Sequence, residues 1–172
     1  GLEMGLDVKK SEIHGMAQRG GSVSSQVRWG QRVHSPLIIP GEVDYLLAFE
    51  RLEALRYADL LRPGGVILIN DYRISPVSVT SGADVYPTPA DEERAYAGIA
   101  HHYIPAMAIA QELGNARANN VVLLGALSAL LDVPEQVWFG AIAARVPERF
   151  VALNQKAFAA GHAFLSKERG RV

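Results

Sequence analysis

A chain of 172 residues with 49% apolar and 20% charged residues has the makeup of one globular domain. It is long enough to bury about two thirds of its unfolded surface. A formal net charge of -1 with no run of five like charges argues against a nucleic-acid-binding face, although a local cationic pocket stays open. The absence of cysteine removes disulfides, thiolate zinc sites and cysteine-ligated iron–sulfur clusters from this chain, so any electrons it helps to move travel through another polypeptide.

The opening GLEMGLDVKK has no basic stretch followed by an apolar core, so no secretory leader is read there, and the lack of cysteine is compatible with a cytoplasmic location. A helix tail ends near Gly5, and LDVKKSEI from Leu6 reads as a short strand. HGMAQRGG follows as a charge-bearing, glycine-punctuated loop that runs into a strand over residues 22–29. There Val23, Ser25, Val27 and Trp29 face one way and Ser22, Ser24, Gln26 and Arg28 the other, the period of a half-buried strand. Gly30–Gln31 reads as a turn into RVHSPLI, which gives an antiparallel hairpin with Pro36 at an edge or a strand end.

VDYLLAF, residues 43–49, is apolar on both faces, and RLEALRYADLL places Leu52, Leu55, Ala58 and Leu61 on one helical face. RPGG stops that helix and VILIN, residues 66–70, begins a second doubly buried strand. Strand, helix and strand in so short a span form a βαβ unit, whose strands are parallel and covered on both sides. Residues 71–90 are rich in Pro, Ser, Thr and Gly and read as an irregular excursion with a short strand at SPVSV. DEERAYAGIA opens a helix with acidic residues, HHYIPA is a further strand, and AMAIAQELGN is a helix stopped at Gly114–Asn115. VVLLGALSALL is about half the ~20 residues that a membrane-spanning helix needs, so it reads as a buried helix. Pro134 and Pro147 suit the first turns of the last two helices. The fold class is α/β: three layers, α/β/α, with a mainly parallel sheet, an antiparallel hairpin and a helical C-terminal third.

Candidate chemistry gathers in the first loop. Gln18, Arg19, Gly20, Gly21 and Ser22 form either a plain turn, with glycine supplying positive φ, or a cradle in which the glycines admit a ligand or partner backbone and Arg19 offers a planar fork to an anion. Glu12 and His14 are the candidate catalytic residues, a carboxylate and an imidazole capable of acid–base work; the alternative is that Glu12 pairs with Arg19 or a lysine and holds the loop. No G-x-S-x-G elbow accompanies His14, which rejects a serine hydrolase. His101 and His102 are adjacent, point to opposite faces of a strand and make a poor metal pair, so no metal site is read. Glu50 and Asn70 close the two parallel strands at their carboxyl ends, where open α/β sheets bind ligands, although Asn70–Asp71 can equally be a cap and turn. Asn119 is read as a cap for the buried helix, Asn154 as a buried hydrogen-bonding or interface residue, and Trp138 and Phe139 as core.

Read in order, GLDVKKSEIHGMAQRGGSVSSQVRWG, VDYLLAFERLEALRYADLLRPGGVILIN, ELGNARANNVVLLGALSALLDVPEQVW and ALNQKAFAAG carry a resemblance over almost the whole chain. It resembles the small (beta) subunit of the indolepyruvate ferredoxin oxidoreductases, the gamma subunit or domain of the 2-oxoacid:ferredoxin oxidoreductase family; HGMAQRGGSV is the most specific block. The resemblance implies that residues 1–172 are one gamma-type domain without the family's opening strand and G-x-G-G-Q-G turn, which would leave apolar sheet surface uncovered. It further implies an accessory subunit of an enzyme that oxidatively decarboxylates an arylpyruvate with coenzyme A, giving acyl-CoA, carbon dioxide and reduced ferredoxin. Thiamine diphosphate, magnesium and 4Fe-4S clusters then belong to the large (alpha) subunit, coenzyme A is a co-substrate whose phosphates suit Arg19, and this chain binds no cofactor of its own. The partners implied are the large subunit and, through the complex, ferredoxin, with no nucleic acid and no membrane. The alternatives are a free-standing nucleotide- or flavin-binding module and a purely structural scaffold.

Overall fold

The computed structural model of the protein describes residues 1–12 and 22–170. Its strands are β1 (Asp7–Glu12), β2 (Ser25–Gly30), β3 (Val43–Ala48), β4 (Leu61–Asn70) and β5 (Ala100–Ile104). Its helices are α1 (Arg51–Tyr57), α2 (Val77–Thr80), α3 (Pro89–Ala95), α4 (Ala106–Glu112), α5 (Asn119–Ser128), α6 (Glu135–Arg145) and α7 (Glu148–Arg169). The central sheet has the order β3–β4–β5 and is parallel throughout, with Leu47 opposite Leu68 and Leu68 opposite His102. The βαβ unit is present as expected, although β4 starts at Leu61 rather than at VILIN, with a register irregularity between Val43 and Tyr45.

Side chains leave a strand alternately, and β4 uses both directions for core. Ile67 and Ile69 pack with Ala48, Ala54, Ala58 and Tyr96 under α1 and α3. Leu68 packs with Ile104, Ala106, Ala110, Val122, Leu123, Ala157 and Leu165 under α4, α5 and α7. These are the three layers. Each fully buried aliphatic side chain of this kind contributes about 1.5–3 kcal/mol.

The second helical layer depends on two glycines. A Cβ on Gly125 would stand 2.0 Å from the Phe158 carbonyl oxygen, and one on Gly161 would stand 1.9 Å from the Val122 carbonyl oxygen. The backbones of α5 and α7 therefore touch, and only residues without a side chain fit at the crossing. Trp138 and Phe139 of α6 are half-buried at the margin of this layer and pack against Phe158, with ring centroids 5.4 Å and 5.8 Å away.

The hairpin differs from the sequence reading. β2 pairs with β1, not with residues 32–38: Asp7 lies opposite Gly30 and Glu12 opposite Ser25. Residues 32–38 run beside β2 through side-chain bonds instead. Gln26 Oε1 accepts from Ile38 N at 2.7 Å, and Arg28 Nη1 donates to Leu37 O at 3.0 Å. Pro36 lacks the N–H that a ladder there would need. This strap covers the polar side of β2, so Val27 and Trp29 stay 52% and 44% exposed on the other side. The period of two is present; the buried face is the polar one.

SPVSV is also corrected: its β-branched residues form the helical turn α2, because with no strand beside them Val79 N and Thr80 N bond locally to Pro76 O. α3 begins two residues before the acidic pair, at Pro89, with Thr88 and Asp91 forming a reciprocal capping box. Asn119 is the first residue of α5 rather than its cap; Asn115 caps the preceding 3-10 turn through Arg117 N. Asn154 is half-buried and donates within its own helix to Phe150 O.

Gly-to-Ala changes separate packing from propensity in this bundle. Alanine is the better helix former by about 1 kcal/mol. At Gly140 of α6, where an added Cβ meets nothing within 4 Å, Gly140→Ala raises stability by about 0.5–1 kcal/mol. At the crossing, Gly125→Ala or Gly161→Ala lowers it by about 3 kcal/mol, because the two backbones must separate. Urea denaturation of the three variants checks the opposite signs.

Candidate functional site

Between β3 and the first turn of α1 stand two adjacent residues of opposite charge, Glu50 and Arg51. Glu50 is buried and serves as the N-cap of α1, accepting from Leu52 N at 2.7 Å and Glu53 N at 3.2 Å. Its other oxygen accepts from Ile74 N at 3.1 Å and from the Tyr86 hydroxyl. Arg51 turns the other way. Its Nη2 and Nε donate to Asp71 Oδ1 at 2.7 Å and 3.0 Å, its Nη1 donates to Glu92 Oε2 at 2.7 Å, and its guanidinium lies 4.3 Å from the centre of the Tyr103 ring. Tyr103 Oη also donates to Glu92 Oε2, at 2.5 Å. The irregular excursion after β4 is thus stapled to the sheet by a carboxylate on one side and a guanidinium on the other.

Burial shapes the chemistry of the tyrosines in this network. Burial first, then the hydrogen bond to Glu92, pushes the Tyr103 phenol up to about 12. Burial and the Glu50 carboxylate push Tyr86 higher than an ordinary phenol, and burial with neighbouring Tyr103 does the same to Tyr96. All three stay neutral at physiological pH, with Tyr86 and Tyr103 as hydrogen-bond donors.

Asn70 closes β4 at the centre of this edge with 1% of its surface exposed. Its amide nitrogen donates to Phe49 O at 3.2 Å, while Oδ1 is a buried acceptor with no partner among the described residues, a state shared by Glu92 Oε1 and the Tyr96 hydroxyl. Leaving such a group unpaired costs about 1–3 kcal/mol. Phe49 and the segment that follows β4 carry exposed apolar side chains. Phe49, Tyr72 and Ile74 are exposed, and Val77 and Val85 are 82% and 80% exposed.

The first loop meets this edge through its last residue. Ser22 Oγ donates to Glu53 Oε2 and lies 3.0 Å from Tyr57 Oη, on one face of α1 at i and i+4. Glu53 is in turn held by Arg56 Nη1 at 2.6 Å. Glu12 ends β1 on the face that carries Val27 and Trp29, and pairs with Lys10 at 2.8 Å. His14, Gln18, Arg19, Gly20 and Gly21 lie outside the described residues. His101 and His102 do point apart: His101 stacks between Tyr96 and Tyr103, and His102 Nδ1 meets Glu168 Oε2 at 3.1 Å. Among the described residues no cluster of three or more metal-ligating side chains occurs, and no helix is long and apolar enough to cross a membrane.

Sequence reasoning missed Arg51, Glu53, Tyr86, Glu92 and Tyr103. Adjacent opposite charges directly after an apolar strand are a visible signal for Arg51; the partners up to 41 residues away are not.

An open parallel sheet whose carboxyl edge carries a buried, half-satisfied amide defines the class: an α/β domain of the kind that presents that edge to a ligand or partner. The sequence profile of the family described as pyruvate ferredoxin/flavodoxin oxidoreductase matches residues 1–164, and the chain belongs to that family. It is 37% identical over 165 residues to "Indolepyruvate oxidoreductase subunit IorB" of Thermococcus kodakarensis, covering 93% of this chain and 82% of the relative. The protein of the same name from Archaeoglobus fulgidus is 38% identical over 169 residues, 94% of this chain and 82% of that one. The crystal structure of the keto/oxoacid ferredoxin oxidoreductase gamma subunit from Geobacter sulfurreducens is similar at 26% identity and a TM-score of 0.68, covering 96% of this chain and 84% of that one. The 2-oxoglutarate:ferredoxin oxidoreductase of Magnetococcus marinus shares the fold at 24% identity and a TM-score of 0.69; the match covers 94% of this chain and 26% of that longer chain.

Two outcomes test the edge. Glu50→Gln exchanges a charged acceptor for a neutral one at the cap and at both anchors, and lowers stability by about 2 kcal/mol. It also opens residues 71–88 to limited proteolysis before global unfolding, which mass spectrometry of the fragments reads directly. The second outcome is alkaline. The Tyr103 phenol ionises at about 12 when folded against an ordinary 10.0, so its contribution is whole below pH 10 and is lost as pH rises through 12. Tyr103→Phe therefore flattens the fall of stability over that window and leaves the neutral-pH slope unchanged.

Proposed function

We propose that the chain is the accessory, gamma-type subunit of a 2-oxoacid:ferredoxin oxidoreductase acting on an arylpyruvate, and that residues 1–172 form one domain of that type. The observation that carries this reading is its 37% identity, over 93% of its length, to a protein named as a subunit of indolepyruvate oxidoreductase. The absence of cysteine supports the division of labour, since the donor set for iron–sulfur clusters is missing from this chain. Clusters, magnesium and thiamine diphosphate accordingly belong to the large subunit. Thiamine diphosphate supplies there the electron sink that decarboxylation of a 2-oxoacid requires.

The role of this chain is to complete a pocket. Val77, Val85, Ile74, Tyr72 and Phe49 offer the apolar rim that a large subunit would cover. Asn70 Oδ1 is an acceptor awaiting an N–H or O–H from that subunit or from coenzyme A. Arg19, between Gln18 and Gly20–Gly21, supplies the planar cation for a coenzyme A phosphate, and Ser22 anchors that loop on α1. Glu12, which pairs with Lys10, and His14 are the candidates at this end of the sequence for structural or acid–base duty. Ferredoxin is reached through the complex, and the assembly works in the cytoplasm.

Co-expression with the large subunit tests the reading. A stable complex with arylpyruvate:ferredoxin activity is expected, and Arg19→Ala is expected to assemble normally while kcat/KM for coenzyme A falls about tenfold, the loss of one charge-assisted bond. A variant complex with wild-type turnover and coenzyme A affinity removes the loop from the reaction. Turnover of a 2-oxoacid by the isolated chain, or a stoichiometric nucleotide or flavin retained by it with no partner recovered, removes the accessory role itself.

A further inference from the structure

The ladder between β1 and β2 stops at the pair Glu12–Ser25, yet the chain is held again at Ser22, and there α1 holds it. Ser22 Oγ carries one hydrogen, which goes to Glu53 Oε2. The 3.0 Å contact with Tyr57 Oη therefore has the phenol as donor. Arg56 Nη1 donates to the other oxygen of Glu53 at 2.6 Å. The bonds form a directed chain, phenol to hydroxyl to carboxylate, that ends on an anion backed by a cation. Each O–H in such a chain polarises the next. Only a side chain that donates and accepts at one atom can stand in the middle, as serine does and alanine does not.

This clamp has a defined place in the fold. Glu53 is the third residue of α1, and its backbone N–H is bound by Glu50, the cap that follows β3 at the carboxyl edge of the sheet. Tyr57 stands four residues on, about 6 Å further along the helix axis. Ser22 is therefore fixed beside the first two turns of α1, close to that edge. Covalent geometry does the rest, since three residues of chain span at most about 11 Å. With Ser22 fixed, the backbone of Arg19 can stand no further than that from the clamp; with Ser22 released, the limit relative to the sheet is lost.

We propose that Tyr57 and Glu53 are positioning residues for coenzyme A: through the Ser22 hydroxyl they hold the end of the first loop against α1, so that Arg19 stays within reach of the carboxyl edge. The proposal rests on the reading of Arg19 as the cation for a coenzyme A phosphate, and adds the two side chains of α1 that govern it. Neither of them touches the ligand. They act on the fraction of molecules whose loop end is in place, and apparent affinity falls in proportion to that fraction.

The test uses the complex with the large subunit and compares KM for coenzyme A with KM for the 2-oxoacid, with Arg19→Ala measured alongside. Tyr57→Phe keeps the ring and is expected to raise the coenzyme A KM about threefold; Ser22→Ala and Glu53→Gln raise it about fivefold, the value of one hydrogen bond. Ser22→Ala combined with Tyr57→Phe raises it no further than Ser22→Ala alone, because Tyr57 acts only through Ser22. Ser22→Thr, which keeps the hydroxyl, restores the wild-type value. The 2-oxoacid KM stays unmoved, which a general loosening of the fold would not allow. The proposal is overturned if Tyr57→Phe and Ser22→Ala keep the wild-type coenzyme A KM while Arg19→Ala raises it, if both KM values rise together, or if the double variant shows the product of the single effects. A wild-type coenzyme A KM in Arg19→Ala overturns instead the reading of the loop, and the proposal falls with it.

Discussion

A strand sealed on both sides has to be covered twice, and β4 is sealed more completely than any of its neighbours. Ile67 and Ile69 point to one helical layer, Leu68 to the other, and all three are excluded from water. Because the connection from β3 must return to the same end of the sheet, α1 has to cross one face. That leaves α4, α5 and α7 to close the other. The glycine contact between α5 and α7 belongs to the same constraint: two helices can share so small a sheet face only by approaching backbone to backbone. The sheet therefore decides where the helices lie, and their closeness decides which residues they can use.

The same strand ends create the electrostatic problem at the carboxyl edge. Two buried charges next to each other in sequence would be costly if they faced one apolar environment. Glu50 and Arg51 avoid this by diverging, Glu50 into the amide groups of α1 and the excursion, Arg51 between Asp71 and Glu92. The segment after β4 makes its own local hydrogen bonds in α2 and is tied to the sheet through Glu50 and Arg51. Asn70 itself is buried, and the segment after β4 exposes apolar side chains such as Ile74, Val77 and Val85 among polar ones. A surface of that composition is better suited to contact with another protein than to bulk water.

Much of this was legible from residue pattern. VDYLLAF and VILIN announce a doubly covered parallel pair because neither has a polar face, and Gly114 announces the end of α4, where φ is 89°. The resemblance carried by HGMAQRGGSV and the three later blocks agrees with the family match over residues 1–164. The misreadings have one physical origin, which is that pairing partners are chosen by tertiary contacts. RVHSPLI has strand-like residues, yet Gln26 and Arg28 capture its backbone first. SPVSV has β-branched residues and no neighbour. Of the candidate site, Asn70 was identifiable by position, whereas the roles of Tyr86, Glu92 and Tyr103 depend on contacts that no local pattern encodes.

The inverted hairpin has a thermodynamic consequence. Its inner face is held to residues 33–38 by polar bonds such as Asp7 Oδ2 to Val33 N at 2.8 Å, and its apolar face contributes little sheltered area. Opening β1 and β2 away from the body would expose few new hydrocarbon groups, so it would carry a small heat-capacity change and proceed without melting the sheet. The amide protons of the hairpin should exchange with solvent by such partial excursions, while those of β4 wait for the whole molecule to unfold.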